Sequence, residues 1–118
     1  MTTAVWLGKP TRASRAETKG RLERLTTVNR ARLLTYKAAW LKDTGQPYKQ
    51  AAARAKLFAT ESAVTATRSA TQVFGGAGFL DDTLVARHYR DAKVLEIGEG
   101  TSEMQRLIIA RGLGLPVE

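Results

Sequence analysis

The sequence predicts an all-α fold, an up-and-down four-helix bundle, and three observations predict it. Apolar residues recur at steps of three to five along two long segments, the stripe of an amphipathic helix. Nothing alternates with period two over a useful length, so no strand is expected. Breaks containing glycine or proline divide the chain into four helical segments, and the short connection between the two long ones favours antiparallel packing. No internal repeat or low-complexity tract is apparent.

Residues 1–13 contain Gly8 and Pro10 with little periodicity and read as an extended lead-in to a helical domain over 14–118. From about Ser14 to Asp43 the residues Leu22, Leu25, Val28, Leu33, Tyr36, Ala39 and Trp40 form the expected core-facing stripe of the first helix. Thr44-Gly45-Gln46-Pro47 ends it, with Gly45 suited to a left-handed C-terminal cap. A second helix is expected from about Tyr48 to Phe74. Its alanines at 51, 52, 53, 55, 59, 63, 66 and 70 let neighbours approach closely and place it at the centre of the bundle. Gly75-Gly76-Ala77-Gly78 breaks the pattern, and Asp81 or Asp82 is a candidate cap for a third helix running through Leu84, Val85, Tyr89 and Leu95. Gly98-Glu99-Gly100 is the next break. Thr101 or Ser102 caps the last helix, Ser102 and Gln105 have capping-box spacing, and Gly112 ends the helix with Pro116 beyond it.

The 118 residues make one domain, large enough for a core of its own and far too small for several domains. The chain therefore reads as part of something larger. It has no cysteine, which excludes disulfides and thiolate metal sites and points to a reducing, cytoplasmic setting. A single histidine, His88, argues against a histidine metal site or a Ser-His-Asp triad and is expected at the solvated surface or core edge. No apolar run approaches a membrane span and no signal segment is apparent, so a soluble protein is expected.

Net charge is +8 and uneven: residues 1–60 carry 13 Lys+Arg against 3 Asp+Glu, and residues 61–118 carry 6 against 8. Such a basic half raises a polyanion as partner. The cations Arg21, Arg24, Arg30, Arg32, Lys37 and Lys42, however, fall between apolar positions of one helix, as on a solvated face. With no aromatic-and-basic motif and no helix-turn-helix pattern, nucleic acid is not the expected partner.

The chemistry concentrates between Gln72 and Arg111. Glu99 lies between two glycines directly ahead of a capped amphipathic helix, where a carboxylate is either a partner of the helix dipole or a candidate base. The glycine run at 75–78 is a helix-terminating turn on its own residues. It follows a helix rather than a strand and lacks the third glycine of a dinucleotide fingerprint.

Several motifs in order, YKAAW before Asp-Thr-Gly, AKLFAT, QVFGGAGF, YRDAK and EGTSEMQRLIIAR, resemble the C-terminal helical domain of the acyl-CoA dehydrogenase family over Leu22 to Leu113. These flavoenzymes desaturate acyl thioesters, and they have an N-terminal helical and a middle β domain for which this chain has no residues. The resemblance implies that Glu99 corresponds to the family base, which takes the α proton of the acyl-CoA while hydride passes from the β carbon to the flavin. A weakly acidic α proton requires a base in a dry pocket, and flanking glycines let the backbone bring it close. It also implies that Gln72, Gly75 and Gly76 approach the adenosine diphosphate part of the FAD of a partner subunit, and that Thr101 and Glu103 lie near its adenine end. Arg90 and Asp91 match a step read as structural ion pairing.

Two positions depart from the family pattern. Gly98 precedes the base where straight-chain members commonly have an aromatic residue. At Leu7-Gly8-Lys9-Pro10, Ala4 stands where a flavin-contacting arginine would be and Leu7 replaces a phenylalanine.

The resemblance therefore implies the C-terminal domain of an FAD flavoenzyme acting in fatty acid metabolism on acyl-CoA, needing other domains or a companion flavoenzyme chain for activity and binding FAD weakly or not at all alone. A non-catalytic helical oligomerisation module of the same ancestry is the alternative, and either way a homo-oligomer is expected. Removal from a larger enzyme would leave the alanine-rich helix and the last helix partly uncovered, and such patches drive association.

Overall fold

The computed structural model describes the backbone of residues 12–117 and the side chains of residues 19–117. Four α-helices follow one another, with a single 3-10 turn and no strand among the described residues: α1 (Arg12–Asp43), α2 (Lys49–Phe74), the turn Gly75–Phe79, α3 (Leu84–Ile97) and α4 (Ser102–Gly112). The predicted all-α bundle is the observed one. The lead-in expected over 1–13 lies almost wholly outside the described residues, as does the segment around Ala4 and Leu7.

The bundle is organised around α2, which packs against α1, α3 and α4, while those three make little contact with one another. This is the central role its alanines predicted. Ala53, Ala55 and Thr60 are its buried residues. The α1–α2 connection closes as expected: Gly45 has φ +70°. The Gly45 and Gln46 amides donate to Lys42 O (3.1 Å) and Leu41 O (2.8 Å), satisfying the orphan carbonyls at the helix end.

The face that α1 turns to α2 is not the predicted one. Ala38 is buried and Thr27, Ala31, Leu34 and Leu41 are half-buried, a line of alternating three- and four-residue steps. The expected stripe points away: Leu33 is 68%, Tyr36 62% and Trp40 57% exposed, with Leu22, Leu25, Val28 and Ala39 also on the surface. Close approach to an alanine-rich helix favours a line built around Ala31 and Ala38, with Leu34 and Leu41 beside them, and leaves the larger Leu33, Tyr36 and Trp40 stripe on the far side. Among the described residues the core expected from the length is therefore small and built of alanines. The buried apolar residues among those described are Ala38, Ala53, Ala55, Ala86 and Ala92. Its radius of gyration of 18.6 Å exceeds the about 13–14 Å of a compact domain of this length. The last turn of α2 (Val73, Phe74) and α4 (Met104) are partly uncovered as expected, and α1 and α3 carry most of the exposed large apolar side chains.

The helix ends also depart from expectation. α3 is preceded by Thr83, in extended conformation and without a side-chain cap bond; Asp81 instead pairs with Arg90 at 2.5 Å. At the other end of α4, Gly112 lies within the helix, and Gly114 (φ +71°) takes the left-handed turn. The six cations named on α1 are exposed, as a solvated face requires, and the Lys42 amine sits 5.9 Å from the centre of the Tyr48 ring. Among the described residues no helix is long and apolar enough to cross a membrane, and no group of three or more His, Cys, Asp and Glu side chains could hold a metal ion.

Candidate functional site

The turn between α3 and α4 carries Glu99. Gly98 closes α3 in extended conformation, its amide donating to Val94 O. Glu99 then takes φ +56°, the only left-handed non-glycine among the described residues, and Gly100 follows at φ +92°. Left-handed backbone crowds a Cβ against the carbonyl, so Glu99 is held there by its surroundings. The holding contacts are visible. Gln105 Nε2 donates to Glu99 O (3.3 Å) and to Gly100 O (3.1 Å), and the Lys56 amine of α2 also donates to Gly100 O. At φ +92° Gly100 sits where glycine is favoured, and a Cβ there would also stand 2.8 Å from Nε2 of the buried Gln105, so that side chain would have to move off the turn.

Thr101 is the cap of α4, its hydroxyl oxygen accepting from Met104 N at 3.4 Å. The Ser102–Gln105 capping box is not formed: Ser102 begins the helix with its hydroxyl buried and without a partner, and the Gln105 amide is spent on the turn carbonyls. Glu103 faces solvent in the first turn of α4. Its own backbone amide, and after it the Thr101 hydroxyl, hold its carboxyl below the usual carboxylate range. The Glu99 side chain is exposed. The dry surroundings that a base acting on a thioester needs are therefore not supplied by the described residues.

The second candidate segment lies at the far end of α2. From Lys56 to Gln72 that helix advances 16 residues, about 24 Å. Glu99, Thr101 and Glu103 are thus brought together, while Gln72, Gly75 and Gly76 form a separate group. Gly75 leaves α2 at φ +58°. Gly78 is buried, and a Cβ there would meet Thr71 O at 2.5 Å. Around Gly76 nothing stands within 4 Å of a Cβ position, and Val73 and Phe79 are 83% and 89% exposed. Beside this segment an open groove of about 740 Å³ runs between α2 and α3, with Arg68, Gln72, Gly75, Tyr89 and Arg90 among its lining residues. Arg90 pairs with Asp81, and Asp91 with Arg87 at 3.6 Å, so both members of the YRD step are in surface ion pairs, though not with each other. His88 is exposed.

Sequence reasoning missed Lys56 and misassigned Gln105. No sequence signal singles out Lys56, since α2 also carries Lys49, Arg54 and Arg68.

Residues 15–114 match the family model for the acyl-CoA dehydrogenase C-terminal domain. The chain is 54% identical over 86 residues to a probable acyl-CoA dehydrogenase, YngJ, of Bacillus subtilis, covering 73% of this chain and 23% of that protein. It is 52% identical over 80 residues to the human mitochondrial short-chain specific acyl-CoA dehydrogenase, covering 68% and 19%. The structure of butyryl-CoA dehydrogenase from Megasphaera elsdenii superposes with a TM-score of 0.77 at 38% identity, over 94% of this chain and 29% of that one. The chain thus spans about a fifth of the length of the curated relatives it matches.

Proposed function

The chain belongs to the acyl-CoA dehydrogenase family as its C-terminal domain, and we propose that it acts as that domain of a flavoenzyme desaturating an acyl-CoA thioester, with Glu99 as the base. The observation that carries this reading is the Glu99 turn. A carboxylate stands on a left-handed residue between two glycines, held by Gln105 and Lys56 and projecting to the surface rather than into this chain's own packing.

In the proposed reaction the α C–H bond breaks and its proton goes to the Glu99 carboxylate. The electron pair forms the Cα=Cβ bond as the β hydrogen leaves as hydride. FAD, when bound, supplies the hydride acceptor.

The residues present fit that cofactor as separated contacts. The exposed backbone at Gly75 and Gly76 and the exposed Gln72 side chain leave room for the adenosine diphosphate part. Thr101 and Glu103 offer polar groups at another place. Lys56, which bonds the Glu99 turn, and Gln72 lie about 24 Å apart along α2, so the two groups are separate contacts that other chain segments would join. Exclusion of water from Glu99 falls likewise to a companion chain, further domains or the acyl-CoA itself.

The test is Glu99→Gln in an assembly competent for turnover. Glutamine keeps size and hydrogen bonding but cannot accept the proton, so desaturation should fall by about 10²–10⁴ or more, with assembly and flavin content unchanged. Undiminished turnover would place the base elsewhere.

One observation favours a second reading, in which the domain is an oligomerisation module: the apolar α1 face with Leu33, Tyr36 and Trp40 is uncovered. Sedimentation should show a dimer or larger species at micromolar concentration and loss of that species in Trp40→Glu. A monomeric wild-type chain would remove this reading.

A further inference from the structure

We propose that Lys56 and Gln105 are positioning residues for Glu99: an amine and an amide grip two successive carbonyls, those of Glu99 and Gly100, and so keep the carboxylate-bearing residue left-handed. The catalytic meaning of this clamp rests on Glu99 being the base. Its conformational content does not.

A glutamate at φ +56° is held against its own preference. Glycine at 99 would sit there without crowding, yet the position carries a long charged side chain. Something must supply the restoring force, and the two donors come from different elements. Lys56 reaches from α2, where it is half-buried between buried Ala55 and half-buried Leu57. Gln105 reaches back from the second turn of α4 and is itself only 6% exposed.

Neither contact serves a helix end in the ordinary way, since the amides at an N-terminus are what need partners and here carbonyls receive the bonds. Ser102 makes the same point, because its hydroxyl stays unpartnered while Gln105 is directed at the turn. The Gly100 carbonyl is bonded by both donors, one of them a cation, which strengthens the bond and fixes the plane of the peptide. With the two peptide planes that meet at Gly100 Cα constrained and Gln105 filling the space a Gly100 Cβ would need, the peptide following Glu99 has little freedom left.

The experiment measures the denaturation midpoint of the full chain with and without Glu99→Gly, in the wild type and in Lys56→Met/Gln105→Leu. In the wild type Glu99→Gly should raise the midpoint, because glycine occupies the left-handed region freely. In the unclamped background that gain should vanish, and NMR couplings that report the sign of φ should show Glu99 out of the left-handed region. Lys56→Arg, which keeps a cationic donor, should retain the gain.

A gain of unchanged size in the unclamped chain, with Glu99 still at positive φ, would overturn the proposal. If the double variant does not fold, Lys56→Met alone decides: the gain must shrink, and an unchanged gain is contrary. Failure here leaves the base assignment standing, since Glu99→Gln in the assembled enzyme tests that independently.

Discussion

The two glycine turns of this domain are built on opposite principles. At Gly98-Glu99-Gly100 the chain turns inward for support. Two successive carbonyls are bonded by Gln105 and Lys56, and the space over Gly100 is filled by a buried side chain. At Gly75–Phe79 the turn rests on α2 and α3 with Gly78 as its buried residue, where an added Cβ would meet Thr71 O and Phe74 Cβ, while Gly76 faces open space and Phe79 is almost wholly exposed. The first turn has its conformation set within the chain. The second has its shape but not its contacts, and it presents backbone to something outside. If Glu99 is the base proposed above, the first arrangement suits a group that must be aimed to within a fraction of an ångström, and the second suits a segment finished only by what binds it.

The largest effect expected from breaking this contrast is at Gly78. An added methyl there meets backbone rather than a movable side chain, so Gly78→Ala should cost about 1–3 kcal/mol in a denaturant titration. Gly76→Ala, two residues earlier with nothing within 4 Å, should stay within about 0.5 kcal/mol of wild type and show its effect instead as weaker flavin retention in a complete assembly. Equal stability losses at the two positions would mean that the second turn is packed throughout, and the contrast would fail.

A smaller effect belongs to Glu103. Its carboxyl is held below the usual range by its own amide and the Thr101 hydroxyl. A depressed folded-state value stabilises at pH above the unfolded value, and that contribution is lost as pH falls through the folded value. Glu103→Gln should therefore lower stability slightly at neutral pH and not at all in strong acid. The side chain is solvent-exposed, so this is the smallest change of the set. A difference between the two proteins that grows in acid would contradict the assignment.

The helices, their order and the centrality of α2 were legible because periodicity, alanine content and glycine breaks are local signals. Gly45 was legible for the same reason. The packing face of α1 was not. The sequence offers two apolar lines on that helix, and size alone singles out Leu33, Tyr36 and Trp40, whereas close approach to an alanine-rich neighbour selects Ala31 and Ala38. Composition cannot show that a large apolar face will be left for something else to cover.

At the site, Glu99 was legible through its glycine neighbours and the family motif, but its supports were not. Lys56 is 44 residues from Gly100, and only the fold brings them together. Gln105 was misread because the spacing of a capping box is also the spacing that lets a side chain reach back over the turn.

On the proposed reading, this chain sets the position of Glu99 but presents only separated portions of a flavin site. The visible absorbance of the purified chain tests it most directly, measured with no companion protein and after incubation with FAD and desalting. A colourless protein, retaining no flavin until other domains or a companion chain are added, is the predicted result. A lone chain that stays yellow with FAD in stoichiometric amount would contradict it, because the contacts along α2 and around Gly76 would then suffice by themselves.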